Sequence, residues 1–121
     1  MTGSTPESDA DHLDNDALAE LQDVMEDEFE LLIRTFVTDS RERIHTLRQA
    51  LADADADALA KAAHSFKGSS INIGAPKLGA LCLALERAGK AGELSGAADR
   101  IDGIDAEFAI VVAELETLMA R

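Results

Sequence analysis

The stretch Leu59-Ala60-Lys61-Ala62-Ala63-His64-Ser65-Phe66-Lys67-Gly68-Ser69-Ser70-Ile71-Asn72-Ile73 decides how this chain is read. Leu59, Ala63, Phe66, Ser70 and Ile73 follow one another at spacings of four, three, four and three. At 3.6 residues per turn all five fall within about 40° of one direction on a helical wheel. That is a buried stripe, flanked by Ala62, and it predicts a helix over about 56–73. Gly74-Ala75-Pro76 closes it, since Gly suits the left-handed position after a helix and Pro suits the first turn of the next one.

The same periodicity extends both ways. Upstream, Phe29, Ile33, Phe36, Val37, Ile44, Leu47 and Leu51, with Ser40 among them, draw one face of a long helix over about 28–52. ADADADA (52–58) alternates with period two, but Ala and Asp are poor strand formers, so it reads as a turn in which Asp55 or Asp57 caps the next helix. A short helix over about 16–24, with Leu18, Leu21 and Val24 inward and Asp14 or Asn15 as cap, precedes the long one as a lid. Downstream, Leu78, Leu81, Cys82 and Leu85 face inward from a helix over about 76–91. After the break AGELSGA (91–97), Ile101, Ile104, Phe108, Val111, Val112, Leu115 and Leu118 do so from a helix over about 97–119. Four helices with one apolar stripe each and short connections bury those stripes by closing around a shared axis. The expected fold is all-α: an antiparallel four-helix bundle over 14–121 with a short extra N-terminal helix, preceded by a flexible tail over 1–13.

Composition agrees and excludes several functions. In 121 residues there are 24 Asp and Glu against 11 Lys and Arg, a net charge of minus 13. No nucleic-acid partner is expected, because duplex affinity depends on cations that neutralise phosphates. The lone Cys82 cannot form an internal disulfide, no signal sequence opens the chain, and no apolar run reaches 18 residues, so the expectation is a cytoplasmic protein without a membrane partner. Neither a GxxxxGK[ST] nor a GxGxxG loop is present to hold a nucleotide. Any phosphoryl chemistry must therefore take its donor from elsewhere.

Opposite the apolar stripe of residues 56–73 the wheel places His64, Lys67, Gly68 and Ile71. A single surface His is ordinarily incidental, but its neighbours change its weight. Lys67 at i+3 projects a cation beside the ring, and Gly68 at i+4 costs helix stability of about 1 kcal/mol while removing bulk that would crowd it. Residues 61–90 hold Lys61, Lys67, Lys77, Arg87 and Lys90 against Glu86 alone, whereas 1–30 hold eleven acids and no Lys or Arg. A neutral imidazole attacks phosphorus, a nearby ammonium stabilises the phosphoryl oxygens, and Lys67 also disfavours the imidazolium. Such a helix is a carrier, not a complete active site.

His64-Ser65-Phe66-Lys67-Gly68-Ser69-Ser70 with the Gly74-Ala75 turn, followed by Leu78, Leu81, Cys82, Leu85 and Glu86, resembles the histidine-containing phosphotransfer (HPt) domain of bacterial phosphorelays. The family pattern H-x-x-K-G-S-S, the Gly-Ala turn and L-x-x-x-C-x-x-L-E are met over 64–86, and the bundle pattern carries the likeness over most of 14–119. Phe66 and Ile73 stand where the family often has Leu, a change of core volume only.

The resemblance implies that His64 accepts a phosphoryl group from a receiver-domain aspartate of a hybrid sensor kinase and passes it to a response-regulator aspartate. Lys67 would stabilise the phosphohistidine, Gly68 would leave room for the receiver, and magnesium would belong to the receiver, with no cofactor on this chain. The chain then reads as a stand-alone phosphoryl carrier without an ATP site of its own, and as a monomer. Ala60, Lys61, Ile71 and Lys77 are the candidate partner contacts. The competing reading is a non-catalytic helical adaptor that binds a receiver or kinase through the same surface. Ser69 and Asn72 are expected to make structural hydrogen bonds, Cys82 to fill core, and His12 and His45 to have no role.

Overall fold

The computed structural model describes residues 12–120, and all its regular structure is helical. The elements are α1 (Asn15–Met25), a 3-10 turn (Glu26–Glu28), α2 (Phe29–Ala52), α3 (Ala56–Asn72), α4 (Pro76–Lys90) and α5 (Ala97–Met119). Local chemistry sets the boundaries. Asp14 caps α1 by accepting from the Ala17 N–H at 3.1 Å, and Asp55 caps α3 by accepting from the Ala58 N–H at 3.0 Å. Gly74 takes φ +86° after α3, where a side chain would be strained, and Pro76 opens α4.

α2 packs on α3 and α5, and α4 packs on α3 and α5, which closes the four long helices into a ring with α1 lying against α2. The neighbours run antiparallel. Arg43 meets Ser65 across α2 and α3, His64 meets Glu86 across α3 and α4, and Arg48 meets Asp102 and Asp105 across α2 and α5. Phe108 stands at the centre, its ring centroid 6.1 Å from Phe36 and 6.3 Å from Phe66 in tilted and edge-on contacts. Leu59, Ala63, Phe66 and Ser70 are buried as the α3 stripe requires, and Ile73 is buried just past its end.

α3 and α4 approach most closely because glycine lines the seam. A Cβ built on Gly89 would stand 3.0 Å from the Ala60 methyl carbon and 3.1 Å from the Ala56 carbonyl oxygen. One on Gly79 would stand 3.0 Å from Ile71 Cγ1.

The expected tail over 1–13 lies outside the described residues through position 11. Its last two residues belong to the fold. Leu13 is buried in the core, His12 Nδ1 lies 2.6 Å from the buried Glu107 carboxylate, and the Asp14 N–H donates to the Gly74 carbonyl at 2.7 Å. The packed domain thus begins two residues earlier than periodicity suggests, because a single apolar residue ahead of a helix cap has no period to betray it.

Candidate functional site

His64 sits two turns into α3, on the flank that meets α4, with 65 % of its side chain exposed. Its Nδ1 lies 3.0 Å from Glu86 Oε2, and the Glu86 side chain is only 4 % exposed. The same carboxylate receives Lys90 Nζ on Oε2 at 3.1 Å and Lys67 Nζ toward Oε1 at 3.4 Å. Burial pushes the Glu86 carboxyl up, but the Lys90 and Lys67 ammonium groups and the hydrogen bond with His64 together outweigh that and bring it down to about 2. An ionised carboxylate only accepts, so the hydrogen bond requires Nδ1 to carry the proton. In the neutral ring the lone pair is then on Nε2.

Three of the residues singled out from sequence therefore converge. His64 is exposed, Lys67 lies one turn on, and the position a Cβ would take on Gly68 has no atom within 4 Å beyond its own helix. Lys67 differs from expectation in one respect. Its ammonium is drawn to Glu86 and its side chain is three-quarters buried, so the cation is balanced by an anion rather than standing alone beside the imidazole.

Of the candidate contacts, Ile71 is 58 % exposed and Lys61 is exposed, paired with Asp57 at 3.1 Å. Asp57, Ala60, Lys61, His64, Glu86 and Lys90 line a shallow cleft of about 330 Å³ over the α3–α4 seam. Ala60 is a correction. It is buried with its methyl against Gly89, so it forms the floor of the seam and offers a partner little surface. Lys77 is another. Nine residues from Glu86 is about 180° around a helix, and its Nζ lies 3.8 Å from Glu107 on α5, away from His64.

Glu86 and Lys90 are the site residues that the wheel reading of α3 misses, because both lie on the next helix. The signal was present: Leu78, Cys82, Leu85 and Glu86 share one stripe, and an acid in an apolar stripe demands a partner. Ser69 caps inward as expected, its Oγ donating to the Phe66 carbonyl at 3.1 Å. Burial pushes the Cys82 thiol up to about 12, which makes it inert core. Among the described residues no cluster of His, Cys, Asp and Glu has the makings of a metal site, and no helix is long and apolar enough to cross a membrane.

The sequence pattern of the Hpt domain matches residues 31–121. The chain is similar to the crystal structure of histidine-containing phosphotransfer protein B from Pseudomonas aeruginosa PAO1, at 48% identity over 89% of this chain and 94% of that chain, with a TM-score of 0.87. It also shares its fold with histidine-containing phosphotransfer proteins from Medicago truncatula and maize. The first is 23% identical, covering 94% of this chain and 81% of that one, with a TM-score of 0.79. The second is 20% identical, covering 94% of both chains, with a TM-score of 0.82. No curated protein matches the chain.

Proposed function

The chain belongs to the Hpt domain family and is a phosphotransfer intermediate of a phosphorelay, and on that footing we propose that His64 is the residue that carries the phosphoryl group. The observation that supports this most directly is the pairing of an exposed imidazole with a buried carboxylate that occupies its Nδ1, which leaves Nε2 free at the surface. Nε2 attacks the phosphorus of a receiver's aspartyl phosphate. A P–N bond forms, the P–O bond to the aspartate breaks, and the carboxylate leaves with the electron pair.

Lys67 and Lys90 supply cationic charge at the phosphoryl oxygens, and Gly68 leaves a path for the receiver surface. The reverse reaction hands the group to a response-regulator aspartate. The receiver brings the magnesium, and this chain works as a carrier without nucleotide, as a monomer in the cytoplasm. Lys61 and Ile71 flank the ring as partner contacts.

The test is incubation with a phosphorylated receiver domain. The wild type gains a base-stable, acid-labile phosphoryl group, and His64→Gln gains none while keeping its helicity. Labelling of the Gln variant overturns the assignment. Receiver binding without any trapped phosphohistidine points instead to a helical adaptor.

A further inference from the structure

Resting on the phosphoacceptor reading above, we infer that Arg43 is a specificity-determining residue for the receiver. Ser65 holds its guanidinium beside the acceptor helix, where it takes a carboxylate on the docking face of the receiver and sets the register in which the aspartyl phosphate meets Nε2. The observation behind this is an ion pair that does not form. Acid and base four residues apart, acid first, pair in Glu30 with Arg34, in Asp57 with Lys61 and in Glu86 with Lys90. Asp39 and Arg43 have the same spacing and order. Arg43 nevertheless turns from Asp39 and crosses to α3, where its Nε donates to Ser65 Oγ at 3.1 Å. Among the described residues no carboxylate pairs with it, whereas the cations on the α4 flank of the ring, Lys67 and Lys90, share Glu86.

Position decides what this cation can reach. Ser65 follows His64, so it lies about 100° around the helix from it, and its bond to Arg43 marks that flank as the one facing α2. A phosphoryl group on Nε2 finds its cations on the other flank, so Arg43 stands aside from the reacting atoms and against whatever domain covers the ring. The side chain is half-buried, the last of the α2 residues along a groove of about 220 Å³ whose lining includes Leu32, Phe36 and Ile73. Packing of its stem lowers the entropy lost when it is gripped. With Nε committed to a neutral hydroxyl, both terminal nitrogens keep their N–H groups for a new acceptor, and a planar fork suits a carboxylate with two parallel hydrogen bonds. Asp39 lines the same groove, one turn back along α2. A receiver that slips along α2 sets its acid against Asp39 instead of Arg43, and that repulsion selects the register.

The probes are receiver domains of hybrid kinases and response regulators, phosphorylated with acetyl phosphate and magnesium, and transfer is followed against receiver concentration. For receivers that use this contact, Arg43→Ala raises the half-saturating concentration by about five- to twentyfold and leaves the maximal rate within about twofold. Arg43→Lys recovers part of the loss, because an ammonium keeps the charge but not the fork. Arg43→Glu transfers worse than Arg43→Ala, and one Asp or Glu of the receiver's docking face changed to Lys restores it. An unchanged half-saturating concentration in Arg43→Ala with every receiver overturns the inference, as does the absence of any restoring substitution. Isolated phosphorylated wild type and Arg43→Ala lose their label at the same rate, since no receiver is present. Faster loss from the variant places the guanidinium on the phosphoryl group and overturns the inference. Failure of the wild type to label at all overturns the phosphoacceptor reading instead.

Discussion

Gly68 stands one helical turn beyond His64 on α3, and the space its missing Cβ would fill is open for 4 Å. No neighbouring helix explains the glycine, so nothing inside the molecule is relieved by it. Gly68→Ala should raise stability by up to about 1 kcal/mol through helix propensity alone. Gly68→Gln should leave the urea midpoint within about 0.5 kcal/mol yet slow phosphoryl uptake from a receiver by tenfold or more. Loss of stability in either variant would show that the glycine serves packing instead.

Gly89 is the opposite case. Its Cβ would meet the Ala60 methyl carbon at 3.0 Å and backbone atoms of Ala56 and Ala60 at 3.1 Å, so α3 and α4 must separate to admit it. Gly89→Ala should cost about 1–3 kcal/mol as overpacking. Gly103, in α5 with nothing within 4 Å, is the control: Gly103→Ala should stabilise by about 1 kcal/mol. Urea unfolding of the two variants separates these outcomes.

Glu86 also governs acid behaviour. Its carboxyl is held near 2 in the folded protein against an ordinary 4.5, so the unfolded chain takes up this proton first as pH falls. The contribution is complete above about 4.5 and is lost progressively toward pH 2. Wild type should therefore lose stability more steeply than Glu86→Gln between pH 4.5 and 2.5, with parallel curves above pH 6. Urea midpoints across that range check it.

The sides of the bundle give a paired prediction. Lys61 is on the His64 face and Lys77 is turned toward Glu107. Lys61→Ala should slow phosphotransfer two- to fivefold at low salt, with the difference shrinking as salt screens the encounter. Lys77→Ala should leave the transfer rate unchanged. Stopped-time labelling at two ionic strengths distinguishes them, and equal effects would place the docking surface elsewhere.

Helix order and ends were legible because the four long helices carry long stripes and each break carries its own chemistry, whereas in the short α1 Leu18 is buried but Val24, expected inward, is 75 % exposed. The last helix was expected over 97–119 and is found at Ala97–Met119, and both capping aspartates lie among the residues expected for that role. What a single-stripe wheel could not read was the second buried flank of α3. A helix with two neighbours buries a wider arc than one stripe, so Ala60 disappears under Gly89 although it stands off the Leu59 direction.

Summing charge over 61–90 likewise ignored which way each side chain faces, and so grouped Lys77 with Lys61. It also counted Glu86 as a lone acid among five bases, when that acid is the anchor for two of them. Lys67 changes meaning as a result. Removing it strips the buried Glu86 Oε1 of its one nearby cation, so Lys67→Ala is expected to cost about 1–3 kcal/mol of stability as well as phosphoryl retention.

The ring and the carboxylate that grips it are 22 residues apart in sequence and meet only because two helices cross at glycine-lined contacts. A synthetic peptide spanning α3 alone would display the whole H-x-x-K-G-S-S signature and still lack the anion, the second lysine and the scaffold that aims them. The signature advertises a chemistry that belongs to the hairpin, and transplanting it onto a foreign helix would yield an ordinary surface histidine.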